Sequence, residues 1–102
     1  MLCALTVRTL RPGTFEQFRS AFLATDQPLT GWVRFNMLRN AENPNEVVCF
    51  GFFDGTVAEL RQNAAGQGLS EQPARIAPFI ESVGADALCE IVEDLTISAS
   101  PR

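Results

Sequence analysis

The sequence predicts an α+β fold in the order β-α-β-β-α-β, with helices on one face of a four-stranded antiparallel sheet. Three observations lead there. Four β-rich runs are separated by turn signals; "LCALTVRTL" and "EVVCFGFFD" are two of them. Two intervening segments carry apolar residues at helical spacing. The middle two strands are joined by so few residues that they must form a hairpin.

Residues 2–10 are the first strand, closed by Pro12-Gly13. Thr14 reads as a helix N-cap, with Gln17 completing a capping box. Phe15, Phe18 and Phe22 share one face of the helix that follows, which ends before Asp26-Gln27-Pro28. Trp32–Asn40 is the second strand, Asn43-Pro44-Asn45 the hairpin turn, and Glu46–Asp54 the third strand. Thr56 and Glu59 form a second capping box, opening a helix with Val57, Leu60 and Ala64 inward. "AGQGLS", residues 65–70, breaks that helix as a loop or as a lid. Residues 71–83 are helical again, with Ile76, Phe79, Ile80 and Val83 on one face, a kink at Pro78 and a stop at Gly84. Ala85–Leu95 is the last strand. One domain therefore spans 1–96, followed by a loose tail at 97–102. This order is the split βαβ of ferredoxin-like folds.

The third strand is apolar on both faces, through Val47, Val48, Cys49, Phe50, Phe52 and Phe53. Helices cover only one side of such a sheet. The simplest cover for the other is an identical sheet related by a two-fold axis, so the pattern predicts a homodimer.

Composition excludes much chemistry. A net charge of −4 and a pI near 4.6 argue against nucleic-acid or anionic-membrane partners. No apolar run approaches the length of a membrane span. The three cysteines, Cys3, Cys49 and Cys89, are scattered through strands, which predicts reduced thiols and a cytoplasmic protein. Histidine, lysine and tyrosine are absent. That removes Ser-His and Cys-His catalysis, histidine metal sites, histidine-ligated haem and Schiff-base chemistry. The expectation is a protein without metal or cofactor.

The motifs "RPGTFEQF", "GWVRFNMLRNAENPNEVVCFGFFDG" and "TVAEL" carry a family likeness. Over residues 2–95 the chain resembles the antibiotic biosynthesis monooxygenase-like domains of the dimeric α/β-barrel superfamily. The resemblance implies a dimeric α/β barrel and cofactor-independent oxidation of an aromatic or polyketide-like substrate. The same scaffold also serves non-catalytic ligand-binding or assembly proteins, which is the alternative. The haem-degrading branch implies an Asn on the first strand, where this chain has Thr6, and a His that this chain lacks.

Two strands supply candidate ligand-binding residues. On the second strand Trp32, Arg34 and Asn36 alternate with Val33, Phe35 and Met37; on the first, Thr6 and Arg8 alternate with Leu5 and Val7. Thr6, Trp32, Arg34 and Asn36 are read as the floor of a pocket for a small aromatic ligand, with Arg34 orienting it. The competing reading puts Arg34 and Asn36 in the dimer interface or at a wet sheet edge. The residues of the third strand that join this face depend on hairpin length, because one residue of slip reverses parity. The eight phenylalanines either line that pocket or simply fill the core.

Overall fold

A computed structural model describes residues 1–24, 29–66 and 71–98. Its elements are β1 (Leu2–Leu10), α1 (Phe15–Phe22), β2 (Trp32–Asn40), β3 (Asn43–Phe53), α2 (Val57–Gly66), α3 (Gln72–Ile76), a 3-10 turn (Ala77–Phe79) and β4 (Ile80–Glu90). The sheet order is β2-β3-β1-β4, antiparallel throughout, so the predicted ferredoxin-like α+β fold is the one observed. No helix among the described residues is long and apolar enough to cross a membrane.

Register decides which side chains meet the helices. Thr6 lies opposite Cys49, Ala4 opposite Gly51 and Arg8 opposite Val47. With Leu2, Leu10 and Phe53 these residues make up the helix-facing side of the two central strands. The core there comprises Leu10, Phe18, Val47, Cys49 and Ile76, with Phe15, Ala21, Phe22, Met37, Phe79 and Ile80 packed around it. Phe18, Phe53, Leu10 and Val47 are fully buried, each stabilising the fold by about 1.5–3 kcal/mol. The opposite face carries Leu5, Val7, Val48, Phe50 and Phe52, all half-buried, and neither α1 nor α3 reaches it.

Both capping boxes were predicted, and one forms. The Glu59 N–H donates to Thr56 Oγ1 and the Thr56 N–H donates to Glu59 Oε1, each at 3.2 Å. Thr14 is N-cap of α1 but makes no such bond. Its hydroxyl instead lies 2.7 Å from Arg11 O and 3.3 Å from Phe79 O, tying the turn to the 3-10 segment. Val57 is exposed and Leu60 half-buried, so α2 buries less of its predicted inward face than α1 does.

Three predicted boundaries are corrected. The hairpin turn is Ala41-Glu42, because Asn40 pairs directly with Asn43. Asn40 Oδ1 accepts from the Glu42 N–H at 2.8 Å and Asn43 Oδ1 from the Asn45 N–H at 3.1 Å. These local side-chain bonds fold the chain before Pro44 is reached. Residues 44–46 have no partner on β2, so the missing N–H of Pro44 costs no ladder bond there.

The predicted helix over 71–83 ends at Ile76 and tightens into the 3-10 turn, where Pro78 cannot donate to a helical ladder. Ile80 is already extended, with φ −98° and ψ 127°. β4 therefore runs over 80–90 rather than 85–95, and Gly84 is not a helix stop but an extra residue in the strand between Val83 and Ala85. Val83 is 56% exposed rather than inward. The ladder closes with the Ile91 N–H donating to Met1 O at 3.0 Å. Val92 and Leu95, assigned to the last strand by the sequence, lie beyond the end of β4 with their side chains in water. α2 runs to Gly66, into the stretch expected to break it; the rest of the proposed lid, 67–70, the helix stop at 26–28 and most of the tail, 99–102, lie outside the described residues.

Candidate functional site

β2 does not alternate simply. Trp32 pairs with Phe53 and Arg34 with Phe52, so two steps on β2 match one step on β3 and Val33 is a bulge. After the bulge Phe35 pairs with Gly51 and Met37 with Cys49. The inserted residue thus puts Trp32, Phe35 and Met37 together on the helix-facing side. Asn36, opposite Phe50, faces the other way. The expectation that Trp32, Arg34 and Asn36 share one face is corrected: parity read from sequence cannot anticipate an inserted residue.

Between this side of the sheet and the end of α1 lies a half-enclosed pocket of about 480 Å³, within the usual size for small-molecule sites. Thr6 and Arg8 come from β1, Cys49 and Gly51 from β3, Trp32, Arg34 and Phe35 from β2, and Phe22 from α1. Of the candidate residues, Thr6 and Trp32 line the pocket from the helix-facing side; Arg34 borders it from the edge strand as an exposed residue, but opposite Phe52 its register is that of the other face, with Asn36. Asn36 does not line it.

Two glycines and one helix end shape the pocket. Gly31 takes φ 89°, a conformation that favours glycine, and the ring of Phe53 packs against it. A Cβ at Gly51 would stand 2.6 Å from Trp32 Cζ3, so the absence of a side chain there is what admits the indole. Trp32 also meets Phe53 edge-on, with centroids 5.3 Å apart. At the far wall Phe22 stacks on Phe35 at 5.1 Å. Orphan carbonyls at the end of α1 are met from α3: Gln72 Nε2 donates to Phe22 O at 3.0 Å and Arg75 Nε to Ala21 O at 3.1 Å.

The floor is polar. Arg8 Nη1 donates to Thr6 Oγ1 at 2.7 Å. The guanidinium lies over the rings of Phe18 and Phe22, 5.8 and 5.6 Å from their centroids. Burial pushes the Cys49 thiol above its ordinary pKa of 9.0, against a smaller opposing pull from Arg8 and from hydrogen bonding to Thr6 and Arg8. Cys49 is therefore a protonated S–H at neutral pH rather than a nucleophilic thiolate. Among the described residues no Asp or Glu lines the pocket, and no group of three or more metal-ligating side chains occurs. Arg8, Cys49, Phe35 and Gly51 are site residues beyond the four candidates. Arg8 was legible as the neighbour of Thr6 on one strand face; Phe35 and Gly51 depended on the bulge.

The fold matches that of antibiotic biosynthesis monooxygenase structures over about nine-tenths of the chain. A provisionally named antibiotic biosynthesis monooxygenase from Chloroflexus aurantiacus superposes with a TM-score of 0.76 at 10% identity, covering 95% of this chain and 98% of that one. SnoaB, a cofactor-independent oxygenase from Streptomyces nogalater, gives 0.71 at 20% identity, covering 92% and 95%. A protein from Deinococcus radiodurans, named in the same provisional way as the first, gives 0.72 at 10% identity, covering 97% and 100%. At such identities the likeness is one of fold. No family model and no curated protein sequence matches the chain.

Proposed function

We propose that the protein is a small-molecule oxygenase acting on an aromatic substrate without a metal or organic cofactor, as a homodimer joined through the open sheet face. The pocket carries this reading. Where a purely structural domain would fill the space between helix and sheet with side chains, this one leaves about 480 Å³ walled by Trp32, Phe22 and Phe35. The shared fold with SnoaB supports the reaction type.

The chemistry balances with oxygen alone. A methylene between an aromatic ring and a carbonyl is acidic; its carbanion adds O₂, and the protonated hydroperoxide loses water to leave a carbonyl. In sum R₂CH₂ + O₂ gives R₂C=O + H₂O. The aromatic walls hold the ring system in one plane, and the pocket shields the carbanion from water. With no carboxylate among the described lining residues, the substrate gives its proton to solvent. That same feature favours a second reading, ligand binding without turnover.

The test is oxygen uptake with polycyclic phenols bearing an acidic methylene. One O₂ consumed per ketone formed, lost on Trp32→Ala, supports the oxygenase. Quenching of the single tryptophan with no uptake above background assigns the protein to the second reading.

A further inference from the structure

We propose that Arg8, Thr6 and Cys49 form a carboxylate seat at the floor of the pocket, and that the ligand is therefore an aromatic carboxylic acid. This rests on the reading of the pocket as a small-molecule site and adds the chemical class of what enters it.

The first ground is an unmatched charge. Arg8 is half-buried on a central strand, yet among the described residues no carboxylate pairs with it; the ion pair there is Arg19 with Glu16, on α1. Asp86, across from Thr6 on β4, makes no ion pair with it either. A guanidinium partly withdrawn from water without an anion is costly, and here the bond to Thr6 and the faces of Phe18 and Phe22 offset part of that cost.

The second ground is donor count. Arg8 spends one N–H on Thr6 Oγ1 and another toward the Cys49 sulfur, which leaves the remainder of its planar fork available. Thr6 accepts that bond, so its own O–H donates, here toward the Cys49 sulfur. The Cys49 sulfur within reach is only a weak acceptor, and its buried thiol carries a proton. The floor thus presents donors and almost no acceptors. A ketone or amide oxygen would use one or two of them. A carboxylate, with two oxygens and about four lone-pair sites, uses the whole set and neutralises the charge.

Position is the third ground. The seat lies on β1 and β3, the central strands, while Trp32 and Phe35 stand on the edge strand β2. An acid group placed at Arg8 leaves its ring between those aromatic walls. Arg34, the other cation of the lining, is exposed, where water weakens any ion pair it makes.

The experiment compares 2-naphthoate with its uncharged isostere 2-naphthamide by titration calorimetry at pH 7, on the wild-type protein and on Arg8→Met, with Trp32 emission recorded alongside. The expected result is naphthoate bound about tenfold or more tightly than the amide, with Trp32 quenched by both. In Arg8→Met the ratio should fall to about one while the amide keeps its affinity. Equal binding by the wild type overturns the carboxylate seat and leaves the pocket reading intact. So does a preference that survives Arg8→Met, or naphthoate binding that leaves Trp32 emission unchanged. Binding of neither compound at millimolar concentration removes the pocket reading and this inference together. If Arg8→Met does not fold, Thr6→Val replaces it: naphthoate should weaken with the amide unchanged, and parallel weakening of both overturns the seat.

Discussion

Gly51→Ala tests whether one missing side chain holds the pocket open. The added Cβ would lie 2.6 Å from Trp32 Cζ3 and 3.2 Å from Cε3. Carbon atoms rest at about 3.5–4.0 Å, so the indole must retreat by about 1 Å. It cannot do so freely, because its other contact is the edge-on ring of Phe53, which is only 1% exposed. Overpacking of this kind costs about 1–3 kcal/mol. Urea unfolding followed by circular dichroism, at one fixed protein concentration, measures the cost. The decisive comparison is a cycle with Trp32→Phe, whose smaller ring vacates the contested volume. Gly51→Ala should then cost at least about 1 kcal/mol less than it does beside Trp32. Additivity within about 0.5 kcal/mol would show that the two residues do not meet, and would refute the argument that glycine admits the indole.

Other outcomes follow from the same structure. Phe18→Ala should destabilise the protein by about 3–5 kcal/mol in chemical unfolding, since its ring is fully buried, while half-buried Phe79→Ala should cost clearly less. Thr56→Ala removes the reciprocal cap of α2 and should cost about 1 kcal/mol, read as a lower urea midpoint. Burial raises the folded pKa of Cys49, so its contribution is complete below pH 9.0, the ordinary thiol value, and is lost as pH rises through the higher folded value. Melting temperature should therefore fall above pH 9.0, and less steeply in Cys49→Ala; lysine and tyrosine are absent, so they cannot mask the effect. Light scattering at micromolar concentration should give twice the 11.2 kDa chain mass, and a monomer would count against the sheet-to-sheet dimer.

Sequence reasoning succeeded where periodicity was long and uninterrupted. β1, β2, most of β3 and the Phe15, Phe18, Phe22 face of α1 are all visible as spacing. It failed where a local bond or a partner strand outweighed spacing. Ile76, Phe79, Ile80 and Val83 fit a helix, but Pro78 interrupts it and pairing with β1 claims the chain from Ile80. Asn40 and Asn43 set the hairpin by side-chain bonds that a Pro-centred reading overlooks. At the site, Thr6 and Trp32 were legible as polar and aromatic residues on strands. The partnership of Trp32 with Phe35 was not, since nothing in "WVRF" marks Val33 as unpaired. The unmatched charge of Arg8 is a property of the assembled surroundings and has no local signature.

The bulge at Val33 lets Trp32 and Phe35 share a face across three positions, where a regular strand would put them on opposite faces. Loss of that one codon would delete no lining residue and create no buried charge. Pairing of Phe35, Met37 and Arg39 with β3 would hold the rest of β2 in place, and Trp32, now two positions before Phe35, would still stand opposite Phe53 with its indole on the same face. Point substitutions near Val33 leave this arrangement untouched, because its side chain is 59% exposed. Relatives that share the fold can therefore gain or shed this one residue and keep the Trp32 wall. An aromatic residue two positions before the partner of Gly51, rather than three, would present the same wall.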